Sequence, residues 1–102
     1  MVAVIEDKRE AVISLCRKYG VVAMHVFGSA LRDDFRSGES DIDLLVDFGK
    51  MDGYAKAQAY FDMLDELEEV LGTKVDLVMV GALKNRYMIQ DVEATKQVLY
   101  AA

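Results

Sequence analysis

The sequence predicts an α/β (α+β) domain, a small mixed β-sheet packed by helices, and three observations carry that expectation. Segments of helical apolar period alternate with short β-branched runs in the order helix, strand, helix, strand, helix, strand, helix, strand. Glycines fall at the boundaries, among them Gly20, Gly28, Gly49, Gly72 and Gly81. The chain has 102 residues, 53% of them hydrophobic, and a globular chain of that length buries roughly 65% of its unfolded surface, enough for one core. Residues 1–102 are therefore expected to form a single domain, which any second substrate must meet from outside.

From Ile5 to Tyr19 the apolar residues Ile5, Val12, Ile13, Leu15, Cys16 and Tyr19 recur at helical spacing. Glu6 and Asp7 at the front and Arg17 and Lys18 at the back suit the helix dipole, and Gly20 supplies the stop. Val21 to Phe27 is rich in β-branched and aromatic residues between two glycines and reads as a buried strand. Ser29 offers an N-cap for a short helix to about Asp33, before a polar loop from Asp34 to Ser40. Asp41 to Phe48 reads as a second strand that opens on two acids. After a turn at 49–53, Ala57, Phe61, Leu64, Leu67 and Leu71 are expected to form the apolar stripe of a long helix closed by Gly72. Lys74 to Val80 reads as a third strand with Asp76 in its apolar middle. A helix over 81–91 and a short closing strand over 97–100 complete the pattern.

Composition excludes several classes of function. Twelve Lys and Arg against 18 Asp and Glu give a net charge of -6, the wrong balance for coating nucleic acid, where basic side chains displace counterions. No apolar run reaches the ~18 residues of a membrane span, and the apolar start ends at Glu6 and Asp7, unlike a signal peptide. The one cysteine, Cys16, cannot pair within the chain and sits in the helical apolar pattern, as expected of core in a reducing cytoplasm.

The acids are the informative anomaly. Alternate residues on a strand share a face, so Asp41 and Asp43 are expected side by side while Ile42 and Leu44 turn inward. At ~5 Å and an effective dielectric near 20, two such charges repel by roughly 3 kcal/mol, a cost that a bound dication removes. Asp76 repeats the problem within Val75 to Val80, and if the second and third strands are neighbours the three acids can converge. Oxygen-only ligands favour hard cations, two Mg²⁺ ions or Mn²⁺, which also bind substrate phosphates and clamp displacement at phosphorus. Gly28-Ser29, between a strand end and a helix start, offers backbone N–H groups to phosphates, with Arg32 as a further cation. Each feature alone has a commoner structural explanation: a capped turn, a protected strand edge, an acid bound to backbone amides. One phosphate and metal site accounts for all three together.

Gly28-Ser29, Asp41-Ile42-Asp43 and the later Asp76 resemble the signature of the polymerase-beta-like nucleotidyltransferase superfamily. The stretches Phe27 to Arg32, Ser40 to Val46 and Gly72 to Leu77 are similar to its smallest branch, the minimal nucleotidyltransferases, over nearly the whole chain. The resemblance implies that fold and a nucleotide site at Gly28, Ser29, Arg32 and Ser40. Asp41 and Asp43 would bind Mg²⁺, and Asp76 would complete the metal site or assist deprotonation of the acceptor. It further implies an antitoxin that transfers AMP from ATP to a tyrosine of a HEPN-type toxin. The competing readings are an antitoxin that neutralises its partner by contact alone, and modification of a small molecule.

Among the remaining residues, His25 is expected to be a structural strand residue and Asp47 a solvated strand end. The acids between Asp62 and Glu69 read as the wet face of the long helix, and Tyr87, Met88 and Ile89 as core.

Overall fold

The structure, a computed structural model, describes residues 3–31 and 41–102. Its elements in order are α1 (Ala3–Asp7), α2 (Arg9–Lys18), β1 (Ala23–Phe27), a 3-10 turn (Gly28–Leu31), β2 (Ile42–Asp47), α3 (Gly53–Leu71), β3 (Val75–Met79), α4 (Arg86–Thr95) and β4 (Gln97–Ala101). This is the mixed α/β arrangement that the alternating periodicity predicts. The first helix is divided, because Lys8 leaves helical geometry at φ -107° and ψ 12°. Lys8 N–H still reaches the Val4 carbonyl at 3.2 Å, so the interruption is a kink.

The four strands lie in the order β3-β2-β1-β4. Antiparallel pairing joins β1 to β2 and to β4, while β2 and β3 run parallel. Two of the sheet's rows on one face are Val26, Leu44 and Leu77, then Met24, Val46 and Met79. All but Met79 are buried, in a core shared with Ile5, Val12 and Cys16 from the N-terminal helices and Ala59, Met63, Leu67 and Leu71 from α3. Burial pushes the Cys16 thiol up to about 12, as expected of an inert core cysteine.

The boundaries of α3 follow from its caps. The Asp52 carboxylate accepts from Ala55 N–H at 3.0 Å, and Gly72 closes the helix in left-handed geometry at φ 67°. Its buried stripe keeps Leu67 and Leu71 of the expected one but runs through Ala59 and Met63, whereas Phe61 is exposed and stacks edge-on against Tyr60. The acidic helix face is not merely wet, since Glu66 holds Lys18 at 3.0 Å and accepts from the Tyr19 hydroxyl. Those two contacts hold the Glu66 carboxyl below its ordinary range, the Tyr19 hydroxyl first and Lys18 second.

Among the described residues, the opposite face of the sheet is covered sparingly. Phe27 and Leu45 pack there against Val92, the single buried residue of α4, with Val78 and Leu83 around them. The helix starts later than expected, at Arg86, because the Asn85 side chain caps it by accepting from Tyr87 and Met88 N–H at 2.9 and 3.1 Å. Tyr87, Met88 and Ile89, expected in the core, are exposed, because the helix turns Val92 to the sheet.

Candidate active site

The sheet register places the acids. Asp43 lies opposite Asp76 across the parallel β2–β3 pair and opposite Phe27 across the antiparallel β1–β2 pair. Neighbouring strands sit about 4.8 Å apart, so the carboxylates of Asp43 and Asp76 project side by side from the sparsely covered face. Asp76 is exposed. The solvation cost expected of an acid inside an apolar strand is therefore absent, because alternation turns Val75 and Leu77 to the core and Asp76 away from it.

The start of β3 is fixed from α3. Glu68 Oε2 accepts from Val75 N–H at 2.9 Å, and the Tyr60 hydroxyl donates to the Leu77 carbonyl at 2.7 Å. Ile42 N–H, next to Asp43, donates to the Lys74 carbonyl at 3.0 Å. Asp76 is thus tied to the core through both of its neighbours, which limits how far its carboxylate can drift.

Gly28 follows β1 at φ 69°, a conformation that favours glycine. A Cβ there would collide with Asp43 Oδ2 and lie 3.0 Å from Asp43 Cγ. The Asp43 carboxylate therefore rests in the space that the missing side chain leaves, and only glycine permits that approach. The backbone of the 3-10 turn from Gly28 to Leu31 runs on from this point.

Asp43, Asp76 and Gly28 line one cleft of about 360 Å³, together with Phe27, Val78, Leu83 and, from α4, Met88, Asp91 and Val92. Asp91 carries no motif signal in the sequence; a helix face opposite two acids would have been the only clue. Asp41 is exposed and stands one residue ahead of β2. The register thus unites two of the three expected acids, and among the described residues no three such side chains are gathered as a ready metal cage. Two adjacent carboxylates beside a backbone cradle remain an oxygen donor set that suits Mg²⁺ or Mn²⁺. Arg32 and Ser40 lie outside the described residues, and of Ser29 only the backbone is described.

Residues 8–99 match the family model of the nucleotidyltransferase domain. The chain belongs to that family. A Methanocaldococcus jannaschii protein, provisionally named a protein adenylyltransferase, is 42% identical over 79 residues, covering 78% of this chain and 76% of its own. The protein adenylyltransferase MntA of Thermococcus cleftensis is 38% identical over 71 residues, 70% of this chain and 68% of that one. A solved structure provisionally described as a minimal nucleotidyltransferase superposes with a TM-score of 0.71 at 36% identity, covering 87% of each chain. The same fold recurs in a tri-AMPylated Shewanella oneidensis HEPN toxin in complex with its MNT antitoxin, at 22% identity and a TM-score of 0.63, over 95% of this chain and 72% of that one. This nucleotidyltransferase is accordingly an enzyme, and the motif residues Gly28, Asp43 and Asp76 line a single cleft.

The other structural residues fall elsewhere. His25 lines a second cavity of about 350 Å³, with Leu45, Asp47, Ile89, Glu93 and Lys96 among its walls. Burial first, and the Lys96 charge second, lower its affinity for a proton. Asp47 closes its own turn by accepting from Gly49 N–H at 2.8 Å. Among the described residues no helix is long and apolar enough to cross a membrane.

Proposed function

We propose that this nucleotidyltransferase transfers AMP from ATP to a hydroxyl, tyrosine foremost, of a HEPN-type toxin, and so acts as the antitoxin of a cytoplasmic toxin–antitoxin pair. The observation that carries the proposal is the aligned Asp43–Asp76 pair beside a Gly28 that has no room for a side chain. The names of the relatives, and the AMP-modified HEPN toxin in the S. oneidensis complex, support the reaction and the class of acceptor.

Asp43 and Asp76, with Asp41 from just ahead of β2, would hold Mg²⁺ together with the ATP phosphates. A dication held by these carboxylates would supply neutralisation of the negative charge that phosphoryl transfer develops. Gly28 and Ser29 would offer backbone N–H groups to the β- and γ-phosphates, and the family resemblance adds Arg32 and Ser40 as nucleotide ligands. The acceptor oxygen forms a bond to the α-phosphorus, the bond to the bridging oxygen of pyrophosphate breaks, and the hydroxyl proton leaves to solvent or to Asp76. Catalysis by this chain then consists of placing two reactants in line between fixed charges.

The test is incubation of the protein with Mg²⁺, radiolabelled ATP and a HEPN-type partner. Label on a partner tyrosine is the expected result. Label that stays off the partner while its toxicity is still suppressed would replace the enzyme by an antitoxin acting through contact alone.

A further inference from the structure

We propose that the N-terminal half of α4 is the docking face for a polypeptide acceptor, an inference that rests on the acceptor being a protein. The cleft has two unlike walls. The sheet wall holds Gly28, Asp43 and Asp76, the groups assigned to phosphate and metal. The facing wall is α4, which contributes Met88 and Asp91. An acceptor hydroxyl that attacks phosphorus in line must come from the side away from the leaving group, and with pyrophosphate held against Gly28 that side is α4.

The character of this wall fits a protein. Met88 lines the cleft while 51% exposed, and Tyr87, the preceding residue, is 78% exposed, so apolar surface lies both in the cleft and on the helix just outside it. A small molecule would gain from an enclosed pocket, whereas an apolar rim that spreads outward suits a surface larger than the cleft. Tyr and Met are enriched at the centres of protein interfaces. The helix spends little of its apolar surface on its own core, burying Val92 alone. Val92 seats the helix on the sheet, and the Asn85 cap secures its first turn, where Tyr87 and Met88 lie.

Charge narrows the partner further. Lys84 and Arg86 are both exposed at the start of α4, a basic spot on a chain whose net charge is -6. The occupant is therefore an acceptor segment with an apolar centre for Tyr87 and Met88 and acidic residues facing Lys84 and Arg86. The second cavity, around His25, shares Leu83 with the cleft but holds none of Gly28, Asp43 and Asp76.

Two variants test the proposal in the labelling assay with the HEPN-type partner: Tyr87→Ser, and Lys84→Glu with Arg86→Glu. Phe61→Ser serves as the control, another exposed aromatic, on α3. Each test variant should raise KM for the partner by about tenfold, the effect of losing about 1.4 kcal/mol at a contact that anchors the complex. KM for ATP should stay put, the control should behave as wild type, and the charge-reversal effect should shrink at high salt. Partner KM unmoved in both variants, with wild-type labelling intact, would overturn the docking face alone. A rise in KM for ATP in place of the partner would assign these side chains to the nucleotide and overturn it as well. A wild-type protein that labels no HEPN-type partner would overturn the proposed function and the docking face together.

Discussion

The two faces of one sheet do opposite work. Toward α2 and α3, residues such as Val26, Leu44, Val46 and Leu77 are buried in a continuous apolar layer. Toward α4, the row Phe27–Asp43–Asp76 opens into a cleft, and the helix covers it with one buried valine. Strand alternation lets a six-residue strand serve both purposes, with Ile42 and Leu44 holding the position that Asp43 uses. Stability and chemistry are therefore separable here to a degree that a site on a loop would not allow.

That separation can be attacked from either side, and the largest expected effect is on the open face. Asp43→Asn should lower the rate of AMP transfer by about 100- to 1000-fold, the range found when one group that stabilises transition-state charge is removed. The melting temperature should hold or rise, since the substitution relieves the repulsion between Asp43 and Asp76. Transfer at the normal rate would show that this carboxylate is not part of the site. Gly28→Ala follows, because its Cβ collides with Asp43 Oδ2. Displacement of reacting groups by about 1 Å can cost 100-fold in rate, and a non-glycine residue held at φ 69° adds about 1–3 kcal/mol of strain. Rate and thermal denaturation should both fall.

On the core face the expectation inverts. Met63→Ala removes a fully buried side chain of α3 and should cost about 2–5 kcal/mol in chemical denaturation, with kcat per folded molecule unchanged. A loss of kcat at full folding would show that the faces are coupled. The smallest effect concerns His25. Its proton affinity is lowered in the fold, so the unfolded chain binds a proton first as pH drops below 6.5. Its contribution is fully present above that value and is lost as pH falls through the lower folded value. His25→Gln should flatten the stability profile just below pH 6.5 by up to one proton's worth of slope and leave transfer unchanged at neutral pH.

Much of this division is legible in the residues themselves. The order of elements follows from periodicity and glycine placement, and α3 stands out through its length and the Gly72 stop. The pairing of Asp43 with Asp76 needs only that β2 and β3 be neighbours, which they are. The parts that escape are those decided by packing. Phe61 and Ala57 fit a helical stripe as well as Ala59 and Met63 do, and tertiary contact alone chooses between them. Tyr87, Met88 and Ile89 look like core by composition, yet α4 leans on the sheet through Val92 and leaves them outside. Asp91 joins the cleft from a helix that crosses above it, a juxtaposition with no linear signature.

The central claim is that metal and nucleotide settle on the sheet's open face beside Gly28, Asp43 and Asp76. Titration of Mn²⁺ with a non-hydrolysable ATP analogue into isotopically labelled protein, read as paramagnetic broadening of backbone amide signals, tests it directly. The account predicts that Gly28, Asp43 and Asp76 broaden first while Met63 and Leu67 on the far side of the sheet remain sharp. Broadening centred on the His25 and Lys96 cavity, with the Asp43 and Asp76 signals untouched, would contradict it.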